Sequence, residues 1–71
     1  MSNTTNQSLE SLITVLDRLV FETLHLTTCA REAIGQGERN QAIGTILPAE
    51  AKLEAANALL RTILVMHREA T

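Results

Sequence analysis

Tryptophan and tyrosine are absent from this 71-residue chain; phenylalanine, cysteine and proline occur once each, and glycine three times. Each shortage excludes something. With a single aromatic, and without turn residues every 8–12 positions, a β-sandwich or barrel cannot be built. One cysteine makes no internal disulfide, and a single free thiol fits a reducing compartment. No apolar run approaches the ~20 residues a bilayer span requires. Met1 to Gln7 has neither a basic stretch nor an apolar one, so it reads as no signal peptide, and the expected location is the cytoplasm. Charge of one sign is lacking too: six basic residues stand against eight acidic ones, for a net charge of −2. The basic residues Arg18, Arg31, Arg39, Lys52, Arg61 and Arg68 are scattered. They form neither the stripe that phosphate neutralisation needs nor the basic face of a membrane-surface helix.

What is present is aliphatic. Eleven Leu, nine Ala, five Ile and three Val make the chain too apolar for disorder and rich in helix formers. Leu9, Leu12, Ile13, Leu16, Leu19, Val20, Leu24, Ala30 and Ile34 recur at helical spacing. Val15, Leu26 and Ala33 widen that apolar side to about 180°, more than one neighbouring helix covers. The spacing predicts a first helix over residues 8–35, capped by Asn6 or Ser8, after a disordered tail at 1–7. Gly35-Gln36-Gly37 predicts the turn, since glycine adopts the left-handed conformation that ends many helices.

After the glycines, Ala42, Ile46, Ala49, Leu53, Ala56, Leu60 and Ile63 alternate spacings of four and three, predicting a second helix over 38–69. Pro48 interrupts it, because proline lacks an N–H and crowds the carbonyl of residue 44. Either the helix starts late, near Leu47, or it runs from Glu38 and kinks around Gly44–Pro48. The expected fold is all-α: an antiparallel two-helix hairpin of residues 8–71. Leu12, Leu16, Leu19, Ala30 and Ile34 are expected to pack on Ile46, Leu53, Ala56, Leu60 and Ile63. At this length a single chain buries roughly 60% of its unfolded surface, so a partner or a second copy is expected to complete a helical bundle.

Residues with reactive side chains are few. His25 and Cys29 are one turn apart, but zinc needs at least three protein ligands. His67 falls on the order of 25 Å away along an antiparallel hairpin. A Cys29 nucleophile with His25 as base has no orienting group and no oxyanion donor, since helical N–H groups are already bonded. Gly-Gln-Gly matches no phosphate-cradling loop. No metal, cofactor or catalysis is therefore expected, and these residues read as ordinary surface positions. The candidate binding residues are apolar. Phe21 projects about 120° from the centre of the first helix's apolar side, and a buried aromatic commonly anchors an interface. Val15, Phe21, Leu26 and Cys29 on the first helix, with Leu59 and Met66 on the second, form the expected partner-binding face. The plain alternative is that Phe21 is a solitary exposed apolar residue, which surfaces commonly carry.

Two segments carry a family resemblance. They are Gly37-Glu38-Arg39-Asn40-Gln41 and Leu53-Glu54-Ala55-Ala56-Asn57-Ala58-Leu59-Leu60. Together they resemble the YscE-like small co-chaperones of bacterial type III secretion needle subunits, helical hairpins of about this length. The resemblance implies a cytoplasmic binding protein without catalysis. Its expected partners are a larger helical-repeat chaperone and the needle subunit that the pair keeps monomeric. A homodimeric four-helix-bundle adaptor, or a small regulatory protein (RNA-binding included), accounts for the same apolar surface.

Overall fold

Gly37 reverses the chain. In the computed structural model, which describes residues 2–70, it has φ +80°, the left-handed conformation. The Gly37 N–H donates to the Ile34 carbonyl at 3.0 Å and the Glu38 N–H to the Ala33 carbonyl at 2.9 Å. These are the two bonds of a Schellman motif, which satisfies carbonyls that a helix end otherwise leaves unpaired. The turn joins α1 (Ser2–Gly35) to a second arm of two helices, α2 (Arg39–Ile46) and α3 (Ala49–Ala70). Both pack on α1, giving an antiparallel helical hairpin with extents of 54 × 15 × 13 Å.

One boundary differs from the one the sequence predicts, and one open alternative is decided. α1 begins at Ser2, so the segment expected as a disordered tail is helical from that residue on; Met1 and Thr71 lie outside the described residues. Neither Gly nor Pro interrupts residues 2–8, and extending an existing helix adds one hydrogen bond per residue fixed. The second arm starts before Pro48 and is interrupted there. Leu47 keeps helical dihedrals (φ −51°, ψ −45°) and its N–H reaches the Ile43 carbonyl at 3.1 Å. Pro48 has no N–H to offer, and the ladder resumes from the Glu50 N–H to the Leu47 carbonyl at 3.2 Å.

The seam follows a heptad on both arms. On α1 the buried and half-buried positions Leu9, Leu12, Leu16, Leu19, Thr23, Leu26, Ala30 and Ala33 alternate steps of three and four. On the second arm Ala42, Thr45, Ala49, Lys52, Ala56, Leu59, Ile63 and Met66 do the same. Lys52 Nζ donates to Glu22 Oε1 at 2.8 Å across the arms and marks the register, which sets Thr23 beside Lys52 and Leu12 beside Ile63. Thr23 is the buried polar residue here, and its hydroxyl donates back to the Leu19 carbonyl at 2.7 Å.

Ile34, Ile46, Leu53 and Leu60, expected to be packed between the arms, instead lie at the margin of the seam and keep 37–55% of their surface exposed. Ala42, Ala49, Ala56 and Ile63 belong equally to two stripes, completed on one side by Ile46, Leu53 and Leu60 and on the other by Thr45, Lys52 and Leu59. The arm turns about this shared row so that the second set meets α1. Lys52 lies along the seam by its aliphatic stem while its charge reaches Glu22.

Gly37 and Gly44 should respond oppositely to substitution. A Cβ at either meets nothing within 4 Å, so backbone conformation alone decides. Gly37→Ala is expected to destabilise by about 1–2 kcal/mol, the strain of a left-handed L-residue. Gly44→Ala, inside α2, is expected to stabilise by about 0.5–1 kcal/mol. Thermal melts followed by circular dichroism check both signs.

Candidate functional site: an apolar face along one side of the hairpin

One residue beyond each inner seam position lies a second row on each arm. On α1 it reads Ile13, Val20, Thr27 and Ile34, and on the second arm Ile46, Leu53, Leu60 and His67. These are the e positions of the heptad, and when two helices run antiparallel their e rows fall on the same side. The geometry agrees: Thr27, Arg31 and Ile34 of α1 share an open groove of about 320 Å³ with Ala42, Ile43 and Ile46 of α2. Ala30, with Ala42, makes its floor. The six aliphatic members of the two rows are 37–55% exposed. Leu24, Ile43 and Leu64, also exposed, border them. Neither row contains Asp, Glu, Lys or Arg.

The opposite flank is different in kind. It carries Val15, Glu22 and Cys29 from α1 and Gln41, Pro48, Ala55 and Thr62 from the second arm. Glu22 is the charged centre of this flank. Hydrogen bonding to Lys52, then the charge of Lys52, holds its carboxyl below the ordinary carboxylate range, with a lesser contribution from Arg18.

The six residues expected to form a partner-binding face are distributed around the hairpin. Leu26, Leu59 and Met66 are half-buried seam residues; Val15 and Cys29 are half-buried on the polar flank. Phe21 is 69% exposed on the outer surface of α1, where it lines a shallow depression with Leu24, His25 and Thr28. The residues that do share an open face are the aliphatic e positions. Their signal in the sequence is the width of the apolar side, which exceeds what one neighbouring helix covers.

His25 Nε2 lies 3.7 Å from Cys29 Sγ on the exposed side of α1. Among the described residues no three His, Cys, Asp or Glu side chains converge on a point that could hold a metal. No helix among them is long and apolar enough to cross a membrane. Comparisons with protein-family models, with curated proteins and with solved structures found no match to this chain.

The Glu22–Lys52 bond gives a pH dependence. A carboxyl whose folded pKa is lowered stabilises the fold above its unfolded pKa, and that contribution is lost as pH falls through the lowered value. Glu22→Gln is therefore expected to melt below the parent at neutral pH and low salt, with the gap closing in acid. Both groups are partly exposed, so added salt should narrow the gap as well.

Proposed function

We propose that this chain is a protein-binding co-chaperone. In this reading the hairpin joins a larger helical-repeat chaperone in the bacterial cytoplasm, and the pair holds a type III secretion needle subunit monomeric. The supporting observation is the continuous aliphatic face, set against a core too small to use it. The buried apolar residues are Ala30, Ala33, Ala42, Ala49, Ala56 and Ile63, and none of the larger side chains is fully buried. The accessible surface is 5449 Å². A compact protein of 7.8 kDa exposes about 4,400 Å². A hairpin in this condition gains by lying against another helical surface, and it offers a binder's geometry without a cleft. The partner named in this reading is the one implied by the resemblance of Gly37–Gln41 and Leu53–Leu60 to the needle co-chaperones.

Co-expression with a helical-repeat chaperone and needle subunit from one secretion system tests the reading. The three chains are expected to co-elute, and omitting the hairpin should leave the chaperone aggregated or degraded. Leu53→Asp should remove the hairpin from the complex, since a carboxylate at that position would be desolvated without a partner. Phe21→Ala should leave it bound. A hairpin that elutes apart from every such chaperone overturns the proposal.

A further inference from the structure

We infer that the aliphatic face takes one amphipathic helix of a heterologous protein, with basic residues beside its apolar stripe over most of its length and acidic residues at the end nearest the turn of the hairpin. This rests on the reading of the face as a docking surface and adds the chemistry of what docks there.

Helices bound the face on both sides. Their N–H and C=O groups are already bonded, and the described residues contain no strand, so an extended segment finds no open edge to pair with. Two e rows on one side of an antiparallel pair instead make a lengthwise groove. A third helix fills such a groove with a stripe of residues spaced by three and four. From Ile13 to Ile34 the groove runs about 32 Å, the length of about six turns of a partner helix.

The margins of the face carry its charge. Glu10, Asp17 and Arg31 border it on α1 and Glu50 on α3, while Arg39 starts α2 one heptad before Ile46. All five are exposed, and among the described residues none of them is in an ion pair. The register that sets Thr23 beside Lys52 places Glu50 level with His25, and Arg39 just beyond Ile34. From the free end to the turn the order is therefore three carboxylates, then two guanidiniums. The signs are segregated along the axis. Glu10 and Arg39 stand about 39 Å apart along it, several times the Debye length at physiological salt. Each end of a partner thus meets the local sign and not the net charge of the chain. Lysines or arginines facing Glu10, Asp17 and Glu50, with carboxylates facing Arg31 and Arg39, complement the face; the opposite assignment repels. Complementarity of this kind sets register and excludes wrong partners, while the aliphatic rows supply most of the affinity.

Two synthetic peptides of one composition and about 21 residues, the length of the groove, test the inference. Both carry leucines at steps of three and four. In the first, lysines flank the leucines over four turns and glutamates over the last two; in the second, the same lysines and glutamates alternate. Fluorescence anisotropy at pH 8 and low salt is expected to show the full hairpin binding the first peptide about tenfold more tightly, with the difference closing at high salt. Circular dichroism should show the peptide gaining helix as it binds. Arg31→Glu combined with Arg39→Glu, which leaves the buried seam untouched, should remove the preference. Leu53→Asp should remove binding of both peptides. Equal binding of the two peptides by the parent overturns the inference and leaves the co-chaperone reading standing. Absence of binding by either overturns it too, and co-elution with the chaperone and needle subunit then decides whether the co-chaperone reading falls with it. A tight dimer of the hairpin that neither peptide dissociates also overturns it, since a second copy then holds the face.

Discussion

Close approach through alanine is the constraint on which the rest of this hairpin depends. Ala30 and Ala33 on α1, and Ala42, Ala49 and Ala56 on the second arm, are buried because their side chains are small enough to let two backbones come near. The same smallness limits what the contact can contribute, since apolar stabilisation scales with area removed from water. An alanine seam brings helices together without giving them a deep core. Six further aliphatic residues, Ile13, Val20, Ile34, Ile46, Leu53 and Leu60, stand one position further round, on the side where the two e rows meet, and about half of their surface stays exposed in the single chain.

The two flanks of the hairpin thereby acquire separate roles. On one, the Glu22–Lys52 pair ties the arms and holds register, using a charged group at a position where a hydrophobic residue would pack more tightly. A polar residue in a helical seam commonly fixes alignment at some loss of stability. Thr23 beside it follows the same logic, returning its hydroxyl to its own helix so that nothing buried is left unpaired. On the other flank the rows are aliphatic and half exposed, with Arg31 at their margin and no ion pair joining the arms among the described residues. Binding on that side can proceed without disturbing the contact that aligns the arms.

Much of this was legible in the sequence, and the parts that were not have physical reasons. The helical class, the glycine turn and the outward placement of Phe21 follow from spacing and from the conformational freedom of Gly37. The rotation of the second arm was not legible, because Ala42, Ala49, Ala56 and Ile63 complete two stripes equally well. Hydrophobicity favours the stripe with Leu53, whereas the folded hairpin uses the one with Lys52. The decisive partner, Glu22, lies thirty residues away on the other helix. The start of α1 was obscured by Ser, Asn and Thr, which bond to nearby backbone and so read as caps and turns. The candidate face inherited the error in rotation: an assignment of Leu59 and Met66 to the outside and Leu53 and Leu60 to the inside reverses their places.

The gradient of residue size along the seam also bears on how the hairpin opens. The layers nearest Gly37 close short loops but are built of alanine, while the Leu12–Ile63 and Leu16–Leu59 layers close loops several times longer and hold larger side chains, Ile63 buried and the leucines half-buried. Going from the Ala33–Ala42 layer to the Leu12–Ile63 layer raises the entropy of loop closure by only about 1.5 kcal/mol. Complete burial of one Leu or Ile side chain returns about 1.5–3 kcal/mol, so the buried Ile63 and the half-buried Leu12 together return a comparable amount. The arms are therefore latched at the end remote from their hinge. A hairpin of this kind does not unzip progressively from its free end. It opens as one cooperative unit, so amide exchange through its middle tracks global opening, and a protease gains access to the inner seam only in molecules that have lost the hairpin altogether.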